Sequence, residues 1–132
     1  MSQKLILAGL IFIFLSITLG AFAAHGLESM NVATDQIDSF SVGVRYLFYN
    51  GLGMLAISGI HDKLDFTLKP QYRGILWGTI IFSSSIFGLV LLPQLNIDVN
   101  KYLGPITPIG GLIMIFGWFT LTVKYMRTYA SQ

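Results

Sequence analysis

The residues able to do chemistry are few and widely spaced: His25, Arg45, Tyr46, Asn50, Ser84 and Thr107. Arg45 is a permanent cation about one turn inside an apolar run, and ionisable groups at such depth are costly enough to mark a purpose. Two readings of it stand. Either the side chain snorkels to the surrounding headgroups, or it pairs with Glu28, Asp38, Asp98 or an anionic lipid. Asn50 follows about 8 Å deeper along a helix axis. Tyr46, Tyr49 and Asn50 are three and four residues apart, so a helix places them on one face. Ser83, Ser84 and Ser85 fall in the middle of a later apolar run, and Thr107 near the start of the last one. Together these groups could line a polar pocket opening outward from a membrane centre. The plainer reading is hydrogen bonding between helices, worth about 0.6 kcal/mol per bond.

His25 closes the first apolar run, where a histidine serves as an interfacial residue, a cap, a ligand or a base. The second histidine, His61, lies at the opposite end of the helices, so the two cannot share a metal within one chain. With no cysteine in the sequence, thiolate sites, disulfides and cysteine nucleophiles are excluded. The apolar runs contain no acid, hence no paired carboxylates and no proton relay. Neither HExxH nor a nucleophile elbow nor a phosphate-cradling glycine loop occurs. We therefore expect no catalytic residue, no metal and no cofactor.

Four apolar runs must position these groups: about 5–24, 40–60, 74–92 and 105–123. Each approaches the roughly 20 residues that a helix needs to cross a hydrocarbon core. Hydrophobic residues make up 54% of the 132 and charged ones 11%, too few charges to cover a soluble fold of this length. The runs are apolar around their whole circumference and too long for barrel strands. The expectation is an all-α fold: one integral membrane domain over 1–132, a bundle of four transmembrane helices. Lys4, the first run and Ala21-Phe22-Ala23 resemble a cleavable secretory signal, but the run is long for one and reads as a retained span. Thr34 or Asp35 could cap an extension of the second helix. Pro105 and Pro108 suit the first turn of the fourth, where a missing N–H costs nothing.

With four spans, Lys4, Lys63, Lys69, Arg73, Lys124 and Arg127 share one side, against Arg45 and Lys101 on the other. Such a bias places the first group, and both termini, in the cytoplasm. The scattered cations make no nucleic-acid patch. Cohesion in lipid comes from small residues that let backbones approach. Gly20 with Ala24, Gly51 and Gly53, Gly74 with Gly78, Ser84 with Gly88, and Gly110, Gly111 and Gly117 supply such surfaces, one on every span. Packing within one protomer is the first use of these surfaces, and an oligomer seam the alternative.

The segment Gly20-Ala21-Phe22-Ala23-Ala24-His25-Gly26-Leu27 resembles the GAFGAHGL signature of the YgdD/YwdK-like small inner-membrane proteins, domain of unknown function 423. The similarity continues through Arg45-Tyr46, Phe82-Ser83-Ser84-Ser85-Ile86-Phe87, Ile106-Thr107-Pro108-Ile109-Gly110-Gly111 and Gly117-Trp118. It implies a four-helix membrane protein and no established activity. Where relatives often read Tyr-Gln-x-Tyr-His, this chain has Tyr46-Leu47-Phe48-Tyr49-Asn50, so a titrating histidine in that helix is replaced by an amide that cannot switch charge.

Three functions are compatible with these residues. The first is a non-enzymatic scaffold or accessory subunit, with membrane lipids, a second copy or a larger membrane complex as partners. The second is a small-solute or lipid-binding transporter or channel built on the outward polar cluster. The third and weakest is a lipid-modifying enzyme with His25 as base. All three sit in the inner (cytoplasmic) cell membrane as multi-pass proteins.

Overall fold

A computed structural model describes residues 1–130 as four long helices. They are α1 (Ser2–Ser29), α2 (Thr34–Ile60), α3 (Lys69–Leu91) and α4 (Asn100–Tyr129), with short 3-10 turns at His61–Lys63 and Leu92–Leu95. α1 packs along α2 and α3 along α4 as antiparallel hairpins, and α2 lies against α3 to join the pairs. One apolar cluster, from Leu5, Phe12, Leu47, Met54 and Ile75, draws on the first three helices. A smaller one, around Leu27, Val32, Phe40 and Val90, closes the opposite end.

The helices outrun their apolar segments because polar flanks continue the hydrogen-bonded ladder. α2 starts at Thr34, as the expected extension requires, but Thr34 and Asp35 are helical residues rather than the cap. Ala33 holds the cap position in extended backbone and makes no side-chain bond there. The Asp35 carboxylate instead sits in the first turn, where the helix dipole favours a negative charge. The prolines depart from expectation too. α4 begins at Asn100, so Pro105 and Pro108 lie inside it. They leave the carbonyls of Lys101 and Gly104 without their i+4 donors. Both chain reversals on this side use an asparagine in left-handed backbone, Asn31 at φ 54° and Asn96 at φ 59°. After α1, the Val32 N–H reaches the Leu27 carbonyl (3.2 Å) and the Asn31 N–H that of Glu28 (3.0 Å). This is the paired C-terminal closure that asparagine tolerates better than β-branched residues do.

Large apolar side chains line the exterior: Leu7, Phe14 and Ile17 on α1, and Leu112, Phe116 and Phe119 on α4, are all more than half exposed. The polar groups are inside. Ser16, Asn50, Gln71, Thr79, Ser83 and Ser85 are buried. A soluble protein reverses this order, and hydrocarbon is the solvent that makes it stable. α1, α4 and α3 with its extension to Leu95 are long and apolar enough to cross a membrane. Four spans were expected, the second with Arg45 as its one charge, and α2 falls outside this set. Arg45, Asn50 and the two tyrosines dilute its apolar run.

Candidate functional site

Asn50 is the centre of a polar knot between α2, α3 and α4. Its side chain is only 4% exposed. The amide nitrogen donates to the Tyr46 carbonyl one turn back (2.8 Å) and to the Met114 sulfur of α4 (2.9 Å). The amide oxygen accepts the Trp118 indole N–H at 2.7 Å. From α3, the fully buried Thr79 hydroxyl bonds its own Ile75 carbonyl at 2.7 Å and lies 3.6 Å from the same sulfur. A buried amide without partners costs several kcal/mol. Here both ends are used, so the knot pins α4 to α2 at the centre of the bundle. Outside it runs a groove of about 440 Å³ between Tyr46, Tyr49, Asn50, Trp118, Phe119 and Thr122.

Two further bonds join the helices near the Asn31 and Asn96 end. The Ser83 hydroxyl donates to the Gly43 carbonyl (2.9 Å), tying α3 to α2. Ser85 and Thr107 share a hydroxyl bond of 2.7 Å, tying α3 to α4. Thr107 also lines a pocket of about 530 Å³ together with polar Asp35, Gln36, Ser39 and Asn100 and apolar Val42, Ile86 and Val90.

Of the six polar residues singled out in the sequence, the structure brings Tyr46 and Asn50 together and sets Thr107 against Ser85. The remaining three stand apart. Ser84 is exposed, with a long 3.5 Å contact to the Ile81 carbonyl on its own helix. Arg45 is exposed and donates through Nε to the Ser41 carbonyl at 3.3 Å. Among the described residues the one ion pair is His61 with Asp62, 2.9 Å, so Arg45 meets neither Glu28, Asp38 nor Asp98. His25 is exposed near the end of α1. The six therefore line no common passage.

The small residues do most of their packing between α3 and α4. A Cβ on Gly74 would stand 3.2 Å from the Gly117 Cα, and one on Gly117 2.8 Å from the Ile75 nitrogen. A Cβ on Gly78 would collide with the Met114 backbone, and one on Gly110 would lie 2.5 Å from the Phe82 nitrogen. Gly111 faces the Phe82 ring, and Gly88 the Leu103 side chain. Gly20 touches only the Val44 side chain at 3.4 Å, and Ala24 is exposed. The close approach of α1 to α2 is made instead by Gly9 and Gly51, each 2.8–2.9 Å from the other's carbonyl oxygen if given a Cβ. Gly9 has no small residue four positions away, so spacing alone does not reveal it. Met114 and Trp118 also escaped the sequence reading. The available signal was a tryptophan deep in an apolar run, where its N–H must find a partner.

Comparison with known proteins finds membrane-protein relatives. Residues 19–111 match the model of the family described as "Protein of unknown function (DUF423)". A UPF0382 membrane protein of Schizosaccharomyces pombe is 37% identical over 83% of this chain and 90% of its own length. The UPF0382 membrane protein YwdK of Bacillus subtilis is 33% identical over 92% and 95%, and that of Staphylococcus haemolyticus 33% over 92% and 94%. No solved structure matches the chain. Apolar-out, polar-in helices and membrane-protein relatives along nearly the whole length lead to one conclusion: the chain belongs to the DUF423 family of membrane proteins of unknown function.

Proposed function

We propose that the protein is a four-span scaffold or accessory subunit of the inner cell membrane. Its termini face the cytoplasm, it has no enzymatic activity of its own, and it acts by presenting its helix exterior to a second copy or a larger membrane complex. One observation carries this reading. The buried polar side chains are hydroxyls and amides, with no acid, lysine, arginine or histidine among them in the described residues. Nearly all of them are spent on bonds between or within helices. An interior of that kind holds a shape and moves no protons.

The topology has its own support. The Tyr129 hydroxyl donates to the Lys63 carbonyl (2.8 Å) and accepts the Asp65 N–H (3.0 Å), and Lys124 Nζ donates to the Thr67 carbonyl (2.9 Å). These bonds fasten the end of α4 to the α2–α3 connection. They bring Lys63, Lys124 and Arg127 to the end of the bundle where Lys4, Lys69 and Arg73 also lie at the starts of α1 and α3, and a lysine–arginine excess marks the cytoplasmic side. α2 is 27 residues long and packed against α1 and α3, so it crosses with them despite its polar content.

Most small-residue surface is consumed inside the protomer. A run of small residues left open to a partner lies on the outer half of α1, where Thr18, Ala21 and Ala24 are exposed at three-residue spacing. Introducing a cysteine by Ala21→Cys in this cysteine-free chain gives a direct test. In native membranes a cross-linked dimer, or a discrete larger adduct, is expected at that position. A protein that runs strictly as a monomer in mild detergent, with no co-purifying partner and no cross-link, would remove the reading.

A further inference from the structure

Three cations converge at the end of the bundle that holds the termini. Lys4 lies in the first turn of α1, and Lys69 and Arg73 lie one turn apart at the start of α3. With Met1 and Tyr72 they line a depression of about 220 Å³. Like charges four residues apart on a helix disfavour that helix, and among the described residues no carboxylate pairs with them. Among the described residues none of the three makes an ion pair or donates a side-chain hydrogen bond to the protein, and the Tyr72 hydroxyl has no partner either. α1 and α3 run parallel and both begin here, so their dipoles add partial positive charge to the same spot. The three cations are exposed, so water screens their mutual repulsion, and an anion seated among them would relieve what remains.

Cations that only mark the cytoplasmic flank need no depression and are dispersed, as Lys63 and Arg127 are. These three come instead from two helices more than sixty residues apart in sequence and meet around a free phenol. The geometry points to a binding site for a phosphate-bearing anion, held by Lys4, Lys69 and Arg73 with the Tyr72 hydroxyl as a further donor. Arginine offers a planar fork to two phosphate oxygens, and lysine a compact charge. Basic pockets between membrane helices commonly take anionic headgroups. Exposed Leu7 and Trp77 lie about one turn deeper on the same two helices, where the tails of such a lipid would run. A soluble phosphate compound carries the same recognised group. The inference rests on the proposed topology only for the name of the leaflet.

Native mass spectrometry of the full chain in neutral detergent, where both ends are accessible, separates the binding question from orientation. Phosphatidylglycerol, phosphatidylcholine and inorganic phosphate are added separately. Phosphatidylglycerol should bind at least about tenfold more tightly than phosphatidylcholine. The pair Lys69→Gln and Arg73→Gln should weaken it roughly 25-fold, about five-fold per cation. The equal charge change Lys63→Gln with Arg127→Gln should weaken it less than about twofold, and Lys69→Arg with Arg73→Lys should retain binding. Lys4→Gln alone, outside α3, should cost about five-fold and serves if the pair disturbs folding. Phosphate binding with the same variant dependence, in the absence of lipid binding, would assign the site to a soluble phosphate compound. Equal losses in the two glutamine pairs, or no preference for either anion over phosphatidylcholine, would overturn the site.

Discussion

Asn50 concentrates the energetics of the interior at a single residue. Its oxygen is the partner of the Trp118 N–H, and its nitrogen is shared between a backbone carbonyl and a sulfur. Replacing it with leucine keeps the volume and strands the indole N–H. Interhelical hydrogen bonds in membranes average about 0.6 kcal/mol and reach about 1.7; a stranded buried donor falls toward the upper end. We expect Asn50→Leu to destabilise the protein by about 1 to 1.5 kcal/mol in detergent unfolding. Trp118→Phe should cost a similar amount, and the double variant less than the sum, because both substitutions remove the same Asn50–Trp118 bond. Arg45 makes the opposite prediction. It is exposed and bonded only to its own helix, so Arg45→Gln should change stability by no more than about 0.5 kcal/mol. A loss above about 1.5 kcal/mol would mean that the guanidinium holds an interaction with another helix. Asn50 was legible in the sequence as a polar group at depth, and its face with Tyr46 followed from spacing. Its partners were not. Helical periodicity relates residues along one chain segment and says nothing about which turn of α4 arrives opposite.

Among the elements, α3 and α4 are held at the shortest range. At Gly78 and Gly117 the facing atoms are backbone, which cannot swing away as a side chain can. Gly78→Val should force the helices apart and cost about 2 to 3 kcal/mol by overpacking, with Gly117→Val similar. Gly59 meets nothing within 4 Å and is the internal control. Gly59→Ala should be neutral or stabilise by up to about 1 kcal/mol through helix propensity, read in the same unfolding assay. On α3 the Gly74–Gly78 spacing was visible and faces the α4 backbone, whereas in the repeat only Gly88 packs and Ser84 is exposed. Gly9 on α1 was not visible, since a lone glycine has no spacing partner on its own helix, and only the fold sets it against Gly51. The start of α4 was hidden for a related reason. Prolines usually mark a first turn, but Asn100 N–H finds the Asp98 carboxylate at 3.1 Å, and the helix starts before them.

For the whole molecule, what decides the account is the solvent. Exposed leucines, isoleucines and phenylalanines on α1 and α4 surround buried serines, threonine and asparagine, and that order was readable from composition alone. The number of crossings was less directly written. α2 carries Arg45 and Asn50 and falls outside the set of helices apolar enough to span on their own, so the proposal that it crosses rests on its packing against α1 and α3. Single cysteines placed in this cysteine-free chain at Ser2, Ala33, Thr67, Asp98 and Ala130 measure the crossings one connection at a time. With a membrane-impermeant maleimide on intact cells, Ala33→Cys and Asp98→Cys should label at once, while Ser2→Cys, Thr67→Cys and Ala130→Cys should label only after the membrane is opened. Labelling of Ser2→Cys and Ala130→Cys from opposite sides, or of Ala33→Cys and Thr67→Cys from the same side, would contradict the four-crossing arrangement.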